Sequence, residues 1–279
     1  MKPFALTAFA LVAFAFNSIL CRMGLAAGEI DAAGFTTVRL VSGASVLAAL
    51  VLSSGKTRNV VKSGNWSSAF FLFAYAVTFS FAYLGLTTAT GALILFGCVQ
   101  VTMFGVSLYH GVRPGPIEWI GLLVAFGGLV YLVLPGLSAP PLNSALLMAA
   151  AGIAWGGYTL RGKGSENPLA DTAGNFIRSV PMVLVVALVF LPNLGASWRG
   201  VGLAVLSGAI ASGVGYSVWY AALKYHTPTR AAVLQLSVPL IAAAGGILLL
   251  AETASLRLLI AAALILGGIG LTLFKRRNS

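Results

Sequence analysis

Residues 229–255 read TRAAVLQLSVPLIAAAGGILLLAETAS, a stretch with no charged side chain between Arg230 and Glu252. A helix needs about 20 consecutive apolar residues to cross the ~30 Å hydrocarbon core of a bilayer. The stretch is long enough for such a crossing, and its continuous apolar character, without period-two alternation, favours a helix over a barrel strand. The same signature recurs along the chain and decides its fold class.

The composition agrees with this interpretation. Of 279 residues, 59% are hydrophobic and 8% are charged, and the mean hydropathy is +0.96. A soluble domain would carry roughly 25% charged residues, and a disordered chain would be poor in hydrophobic ones. The composition therefore excludes both classes and predicts an all-α polytopic membrane protein.

Ten apolar segments are long enough to be transmembrane helices. The first resembles a signal peptide, but it takes part in the repeat described below, and we interpret it as an uncleaved first span. The connections are short and leave no room for a soluble domain. The predicted spans are 3–25, 32–52, 67–88, 90–109, 116–135, 142–160, 170–191, 200–222, 230–250 and 255–274.

Basic residues predict the orientation of these spans. The chain has 17 lysines and arginines against 6 acidic residues, and membrane proteins concentrate basic residues in cytoplasmic loops. With a cytoplasmic N-terminus only Arg22, Arg199 and Arg257 fall outside the cell. The cytoplasmic set is then Lys2, Lys56, Arg58, Lys62, Arg113, Arg161, Lys163, Lys224, Arg230, Lys275, Arg276 and Arg277. We therefore expect the cytoplasmic (inner or plasma) membrane, both termini in the cytoplasm, and no nucleic-acid partner.

The two halves of the sequence match at an offset of 139 residues. Arg22 falls on Arg161, Arg39 falls on Arg178, and GALILFGCVQV (91–101) falls on RAAVLQLSVPL (230–240). Residues 1–137 and 138–279 then hold five spans each. Because five is odd, the second repeat is inverted in the membrane, an arrangement typical of secondary transporters with a central cavity. The alternative is a duplication that serves packing alone.

Four segments resemble the drug/metabolite transporter superfamily of the EamA type. They are VRLVSGASVLAALVL (38–52), GLLVAFGGLVYLV (121–133), TRAAVLQLSVPLIAAAGGILLLAETAS (229–255) and LILGGIGLTLF (264–274). Within the superfamily the chain looks closest to YddG-like amino-acid exporters. The resemblance implies ten helices around a central cavity and export of amino acids, including aromatic ones, or related metabolites from the cytoplasm. Gln100 stands where the second half has Pro239, so the two halves are not expected to move identically.

Polar and aromatic residues within the spans are the candidates for contact with a transported solute. Amides that faced lipid would leave hydrogen bonds unmet, and aromatic faces attract an ammonium group. The alternative is that they only join or pack helices, which is the simpler role for Tyr75. The substrate-binding candidates are Asn17, Phe79, Tyr83, Phe96, Gln100, Trp155, Tyr158, Tyr216, Trp219 and Gln235.

Three further residues are expected to be structural or to act in gating. Arg39 and Arg178 lie about 11 Å into their spans, where a charge is costly. They are interpreted as arginines that bind carbonyl groups or extend to the membrane surface, and a carboxylate-binding role is the alternative. Pro239 is expected to kink its helix, since it removes one backbone hydrogen bond.

Enzymatic functions find no support in the sequence. The spacing of Gly157–Gly164 imitates a phosphate loop but lacks the final Ser or Thr and a preceding strand. No metal-ligand, cofactor or catalytic pattern appears, so an enzyme is not expected. All six acidic residues lie at span ends or in loops, which argues against a proton relay. The alternatives left open are export of nucleobases, nucleosides or drugs, and a lipid flippase. A monomer is the working expectation.

Overall fold

The computed structural model describes residues 2–53, 63–111, 115–134, 136, 139–162, 164–193, 195–226, 234–235 and 237–274. Within these ranges the regular structure is helical, apart from one isolated antiparallel bridge between Ile30 and Ala196. The all-helical prediction is confirmed for this part of the chain. Residues 230–233 and 236 of the ninth predicted span and residue 135 of the fifth lie outside it. So do Lys56, Arg58, Lys62, Arg113, Lys163, Arg230, Lys275, Arg276 and Arg277, which entered the orientation argument.

The described residues form ten long helices, each overlapping one predicted span. Their bounds are α1 Lys2–Ala26, α2 Ala32–Ser53, α3 Trp66–Ala82, α4 Thr88–Tyr109, α5 Pro116–Val133, α6 Leu142–Gly162, α7 Pro168–Val189, α8 Trp198–Leu223, α9 Ser237–Leu250 and α10 Leu256–Phe274. By length and composition six of them (α1, α2, α4, α5, α7 and α8) can cross a membrane. The apolar helices α3, α9 and α10 have shorter apolar stretches.

Polar residues at the helix starts explain several of these bounds. The side chain of Asn65 accepts a hydrogen bond from the backbone N–H of Ser68 at the start of α3, and Thr87, Asn167 and Ser197 cap α4, α7 and α8 in the same way. Such caps satisfy N–H groups that the first helical turn leaves unbonded. The helices therefore begin where the sequence supplies a capping oxygen.

Helices of the two halves pack against each other throughout. Helix α5 packs on α10, α2 packs on α7 and α8, α3 packs on α6 and α7, and α1 packs on α8 and α9. Helix α4 contacts α6 and α9. Glycines permit the closest approaches: Gly268 of α10 faces the backbone of α5, and Gly152 of α6 faces that of α4. Small residues at such interfaces are typical of membrane helices.

The outward faces of the helices are apolar. Leu248 and Leu188 are exposed over 81% and 67% of their surfaces, and leucine, isoleucine, valine and phenylalanine side chains are exposed on most of the other helices. A soluble protein rarely exposes so much apolar surface, whereas the hydrocarbon of a bilayer solvates it well. The surface thus fits an integral membrane protein.

Candidate functional site

A buried arginine lies at the centre of the bundle. Arg39 is 1% exposed, and its Nε donates a hydrogen bond of 2.9 Å to Oγ of Ser212 on α8. Its Nη2 donates to the hydroxyls of Tyr75 and Tyr216, at 3.1 Å and 2.8 Å. The guanidinium carbon also lies 4.9 Å from the ring centre of Phe79, a cation–π distance. The side-chain hydrogen-bond partners of this cation are hydroxyl groups and carry no negative charge.

Asn17 of α1 connects the arginine cluster to the middle of α8. Its Oδ1 accepts hydrogen bonds from Ser207 at 2.8 Å and Ser212 at 3.0 Å. Its Nδ2 donates to the backbone carbonyl of Ala211 at 3.2 Å. Asn17 is itself buried. Ser212 therefore links Asn17 and Arg39. Through these two residues, α1 and α2 are both held against the same part of α8.

Aromatic rings enclose the polar groups. The ring centre of Trp155 on α6 lies 4.6 Å from that of Tyr216 and 5.0 Å from that of Tyr75. Phe14 of α1 makes edge contacts of 5.6 Å with both Trp155 and Trp219. These distances are typical of attractive aromatic pairs. We call this group of polar and aromatic residues the central cluster. Its polar members are Asn17, Arg39 and Ser212, and its aromatic members are Phe14, Tyr75, Phe79, Trp155, Tyr216 and Trp219.

An irregular segment of α8 shapes this cluster. Residues Leu206–Val214 form a π-helix between the α-helical ends of α8. In a π-helical stretch the backbone hydrogen bonds join residues five apart instead of four, and such stretches are often found at functional sites. It holds Ser207 and Ser212, and the carbonyl of Ala211 within it accepts the hydrogen bond of Asn17. The segment thus turns two hydroxyls and one carbonyl toward the first half.

Close contact between α2 and α8 brings Arg39 within hydrogen-bonding distance of Ser212. A Cβ atom added at Gly208 would lie 2.1 Å from the carbonyl oxygen of Arg39, and one at Gly43 would lie 2.9 Å from the carbonyl oxygen of Gly208. Only glycine permits this approach. Because Ser212 follows Gly208 by about one turn, the contact brings its hydroxyl to Arg39.

Several buried polar atoms of the predicted site have no hydrogen-bond partner in the described structure. They are Nη1 of Arg39, Nε1 of Trp155, Nε1 of Trp219 and Oε1 of Gln235. Buried polar groups are normally paired, and exceptions call for an explanation such as a functional role. Three of these four atoms are hydrogen-bond donors, so a group that accepts hydrogen bonds would pair with more of them than a donor would.

The acidic residues all lie away from the central cluster. Asp31, Asp171, Glu118 and Glu252 accept hydrogen bonds from backbone N–H groups near helix ends. Glu29 pairs with Arg199 at 3.5 Å, and Glu166 is exposed. Among the described residues no carboxylate forms an ion pair with Arg39, and no three or more His, Cys, Asp or Glu residues come together as metal ligands would.

The other predicted site residues are found at varying distances from this centre. Tyr158 contacts Trp155 at 5.6 Å, and Tyr83 contacts Phe79 at 4.8 Å. Phe96 and Gln235 are buried, but the contacts that define the central cluster do not include them. Gln100 lies half-buried on α4. The structure thus joins Asn17, Phe79, Trp155, Tyr216 and Trp219 directly, and Tyr83 and Tyr158 through them.

The three residues expected to be structural differ in their surroundings. Nη1 of Arg178 donates to the carbonyl oxygens of Ser63 at 2.7 Å and Gly174 at 3.0 Å. Arg39 bonds hydroxyls instead, and it is too deeply buried to extend to the membrane surface. Pro239 lines an apolar cavity of about 130 Å³ between α4, α9 and α10. The two arginines, although they align at the 139-residue offset, therefore have different environments.

Sequence reasoning missed some members of the central cluster. Packing is the simpler role for Tyr75 from the sequence alone, yet its hydroxyl contacts Arg39. Phe14 precedes Asn17 by three residues, so the helical period places the two on one face, and this spacing was the available signal. No sequence pattern pointed to the hydroxyl of Ser207, because the π-helical register that turns it toward Asn17 is visible only in three dimensions.

Contacts between the halves close one end of the bundle around Arg22. Arg22 donates to the carbonyl oxygen of Tyr83 at 3.0 Å and lies 3.5 Å from a carboxylate oxygen of Glu252. That carboxylate also accepts hydrogen bonds of 2.9 Å from the N–H of Thr88. The backbone N–H of Asp31 donates to the carbonyl oxygen of Gly195, and the backbone N–H of Gly195 donates to the carboxylate of Asp31. These contacts form the Arg22 end.

A second set of contacts closes the opposite end, around Arg161. Arg161 donates to Oγ of Ser68 and to Oδ1 of Asn65, both at 3.1 Å. The backbone of Asn65 donates to Asn175 at 2.9 Å, and that of Gly64 donates to Asp171 at 3.1 Å. Asn65 directly precedes the first residue of α3, whereas Tyr83 directly follows its last residue. The Arg161 end and the Arg22 end therefore lie on opposite sides of the bundle, with the central cluster between them.

Comparison with known proteins identifies the family. The chain is 48% identical over 275 residues to an uncharacterized protein of Pseudomonas aeruginosa, covering 99% of this chain and 96% of that one. Residues 142–274 match the EamA-like transporter family. The chain belongs to the EamA-like transporter family. The family consists of transporters rather than enzymes, and the resemblance seen in the sequence is confirmed at this level.

A further relative agrees with this assignment, and a solved structure shares the fold. The EamA-like transporter is 30% identical over 165 residues to an uncharacterized transporter of Archaeoglobus fulgidus, covering 56% of this chain and 57% of that one. A protein of known crystal structure superimposes with a TM-score of 0.66 at 19% identity, covering 98% of both chains. The second likeness shows that the two proteins share a fold. The protein is thus an integral membrane transporter that handles small molecules.

Proposed function

We propose that this EamA-like transporter exports amino acids, including aromatic ones, from the cytoplasm by alternating access. The observation that carries the proposal is the central cluster itself. Helices α1, α2 and α3 of the first half supply Asn17, Arg39 and Tyr75, while α6 and α8 of the second half supply Trp155 and Tyr216. Relative movement of the halves would therefore remake the site, as alternating access requires.

An inverted repeat is supported by the pattern of helix packing. Exchanging the halves replaces α1 by α6, α2 by α7, α3 by α8, α4 by α9 and α5 by α10, and the reverse. The contact of α3 with α6 then corresponds to that of α8 with α1, and the contact of α2 with α8 corresponds to that of α7 with α3. All four contacts are present. The pairs α2 with α7, α4 with α9 and α5 with α10 map onto themselves. This packing is what a pseudo-two-fold axis in the membrane plane between residues 1–137 and 138–279 would produce. We propose that all ten helices cross the membrane.

The two closed ends supply the gates of this mechanism. In the present structure both the Arg22 end and the Arg161 end hold contacts between the halves, which corresponds to an occluded state. Opening one end while the other stays closed would expose the central cluster to one side only. The excess of basic residues favours a cytoplasmic N-terminus in the cytoplasmic membrane. The Arg161 end then faces the cytoplasm and admits the solute.

The surroundings of the central cluster favour an amino acid as solute. The rings of Phe14, Trp155 and Trp219 offer apolar surface for a side chain and π faces for an ammonium group, worth about 0.5–2 kcal/mol per contact. The donors that lack partners suit an oxygen acceptor. Such a mixture of aromatic walls and a few placed polar groups is typical of small-molecule sites. The YddG-like assignment made from the sequence points to the same substrates.

Counterflow in proteoliposomes tests the proposal. Vesicles loaded with an unlabelled amino acid should transiently accumulate the labelled form, whereas a nucleoside or a fluorescent lipid in the same assay should not respond. Trp155→Phe should change the relative rates of aromatic and aliphatic amino acids. Trp198→Phe, at a side chain that is 93% exposed, is the matched control and should leave the rates unchanged. Absence of counterflow for every amino acid, or a response to the lipid alone, would overturn the proposal.

A further inference from the structure

The buried guanidinium of Arg39 has no counter-charge within the described part of the chain. It is held by one serine and two tyrosine hydroxyls, and among the described residues no carboxylate pairs with it. A buried charge is normally paired, since burial without a partner is costly. We infer that Nη1 of Arg39 is the binding site for the carboxylate of the transported solute. This inference rests on the proposed function and adds the chemical class that the site selects.

A count of donors around the arginine supports an anion at this place. Nε and Nη2 are used by Ser212, Tyr75 and Tyr216, while Nη1 is buried and bonds nothing in the described structure. The hydroxyls of Tyr75 and Tyr216 also bond each other at 3.4 Å. That bond uses one of their two hydroxyl protons, so the second remains for another acceptor. A carboxylate would accept from Nη1 and from this tyrosine proton.

Arg39 does not have the ordinary structural roles of a membrane arginine. It neither reaches the surface, being 1% exposed, nor bonds backbone carbonyls with its side chain, as Arg178 does. It is the eighth residue of α2, about 11 Å from the helix end, and lies beside residues from the middle of α3 and α8. Its position is therefore that of a midplane binding group, where ligands of inverted-repeat transporters bind.

The charge of Arg39 also limits which solutes fit. A cationic solute without a carboxylate would be repelled by the positively charged guanidinium and would supply no negative charge to neutralise it. The carboxylate of a zwitterion or a carboxylic acid cancels the charge, while Trp155 and Phe14 accommodate the remainder of the solute. The class selected is carboxylates that carry an apolar or aromatic group. Because Nη1 is buried here, the solute enters when one end of the bundle opens.

Thermal unfolding of the purified full chain in detergent tests whether the site selects solutes that carry a carboxylate. The probes are L-phenylalanine and 3-phenylpropionate, which carry a carboxylate, and L-phenylalaninamide and phenethylamine, which do not. Both carboxylates should raise the melting temperature at millimolar concentration, and the other two should not. In Arg39→Gln the half-saturating concentration of phenylalanine should rise by about tenfold or more, as loss of a charge-assisted bond predicts. Arg39→Lys should retain the preference for carboxylates with weaker binding, which provides a second variant should Arg39→Gln fail to fold.

Arg178→Gln is the control for removing the equivalent arginine of the other half, and it should keep the preference for carboxylates. Equal stabilisation by phenylalanine and phenylalaninamide, no stabilisation by either carboxylate, or an unchanged preference in Arg39→Gln would overturn the inference. Counterflow separates it from the proposed function. Carboxylate-selective stabilisation without counterflow would refute transport and leave the site standing. Counterflow of phenylalanine that phenylalaninamide inhibits equally well would refute the site and leave transport standing.

Discussion

Arg39 and Ser212 join the two halves of the transporter through a hydrogen bond of 2.9 Å between Nε and Oγ. Ser212 also donates to Asn17, so one hydroxyl serves three helices. Ser212→Ala should leave the buried Nε–H without an acceptor and destabilise the protein by about 1–3 kcal/mol. Thermal unfolding in detergent measures this. Ser45→Ala, at an exposed hydroxyl of α2, should change stability little, and equal effects of the two variants would contradict the assigned role of Ser212.

The contact of α8 with α2 predicts a strong effect at Gly208. In Gly208→Ala the new methyl group would lie 2.1 Å from the carbonyl oxygen of Arg39. The helices must then separate, at a cost of about 1–3 kcal/mol, and Ser212 must move away from Arg39. We expect a lower melting temperature and slower transport. A Cβ atom added at Gly202 of the same helix would meet no described residue within 4 Å, so Gly202→Ala should behave as the parent. A harmless Gly208→Ala would show that the close approach is dispensable.

The Arg22 end predicts a change in the accessibility of a native cysteine. Glu252 accepts hydrogen bonds from Thr88 and pairs with Arg22, and the adjacent Cys21 is fully buried. Glu252→Gln removes the charge and should open this end more often. In a Cys98→Ala background, a membrane-impermeant maleimide should then label Cys21 faster. Glu118→Gln, which affects only the cap of α5, is the control, and unchanged labelling in Glu252→Gln would contradict a gate at the Arg22 end.

Transport should not depend on a proton gradient. The acidic residues lie at helix ends or in loops, and the charge of the central cluster is a guanidinium, which keeps its proton at any accessible pH. No titratable carboxylate in the cluster can then carry a proton with the solute. Counterflow rates should be equal with and without an imposed pH gradient across the vesicle membrane. Strict dependence on the gradient would exclude this mechanism and require a coupled group elsewhere.

Helix positions and the family were accessible from the sequence because they depend on local patterns. Apolar runs predicted helices whose observed bounds differ by a few residues, as for 200–222 against Trp198–Leu223. The amides and aromatics that cannot face lipid were identified as candidates on the same principle. The environments of Arg39 and Arg178 were not accessible, since two residues that align at the 139-residue offset need not face the same kinds of groups in the other half.

The sequence by itself determined a helical membrane protein, since transfer of apolar side chains to lipid and bonding of every backbone group within a helix follow from composition and order alone. The EamA-like family followed from the resemblance of its segments to known members. Only the tertiary structure decided that Arg39, Asn17, Tyr75 and Tyr216 meet at one point. That meeting depends on the glycine contact between α2 and α8 and on the π-helical turn of α8. The glycine contact and the π-helical turn set how far apart the helices lie and how they are rotated. These quantities arise from packing between segments that are distant in the sequence.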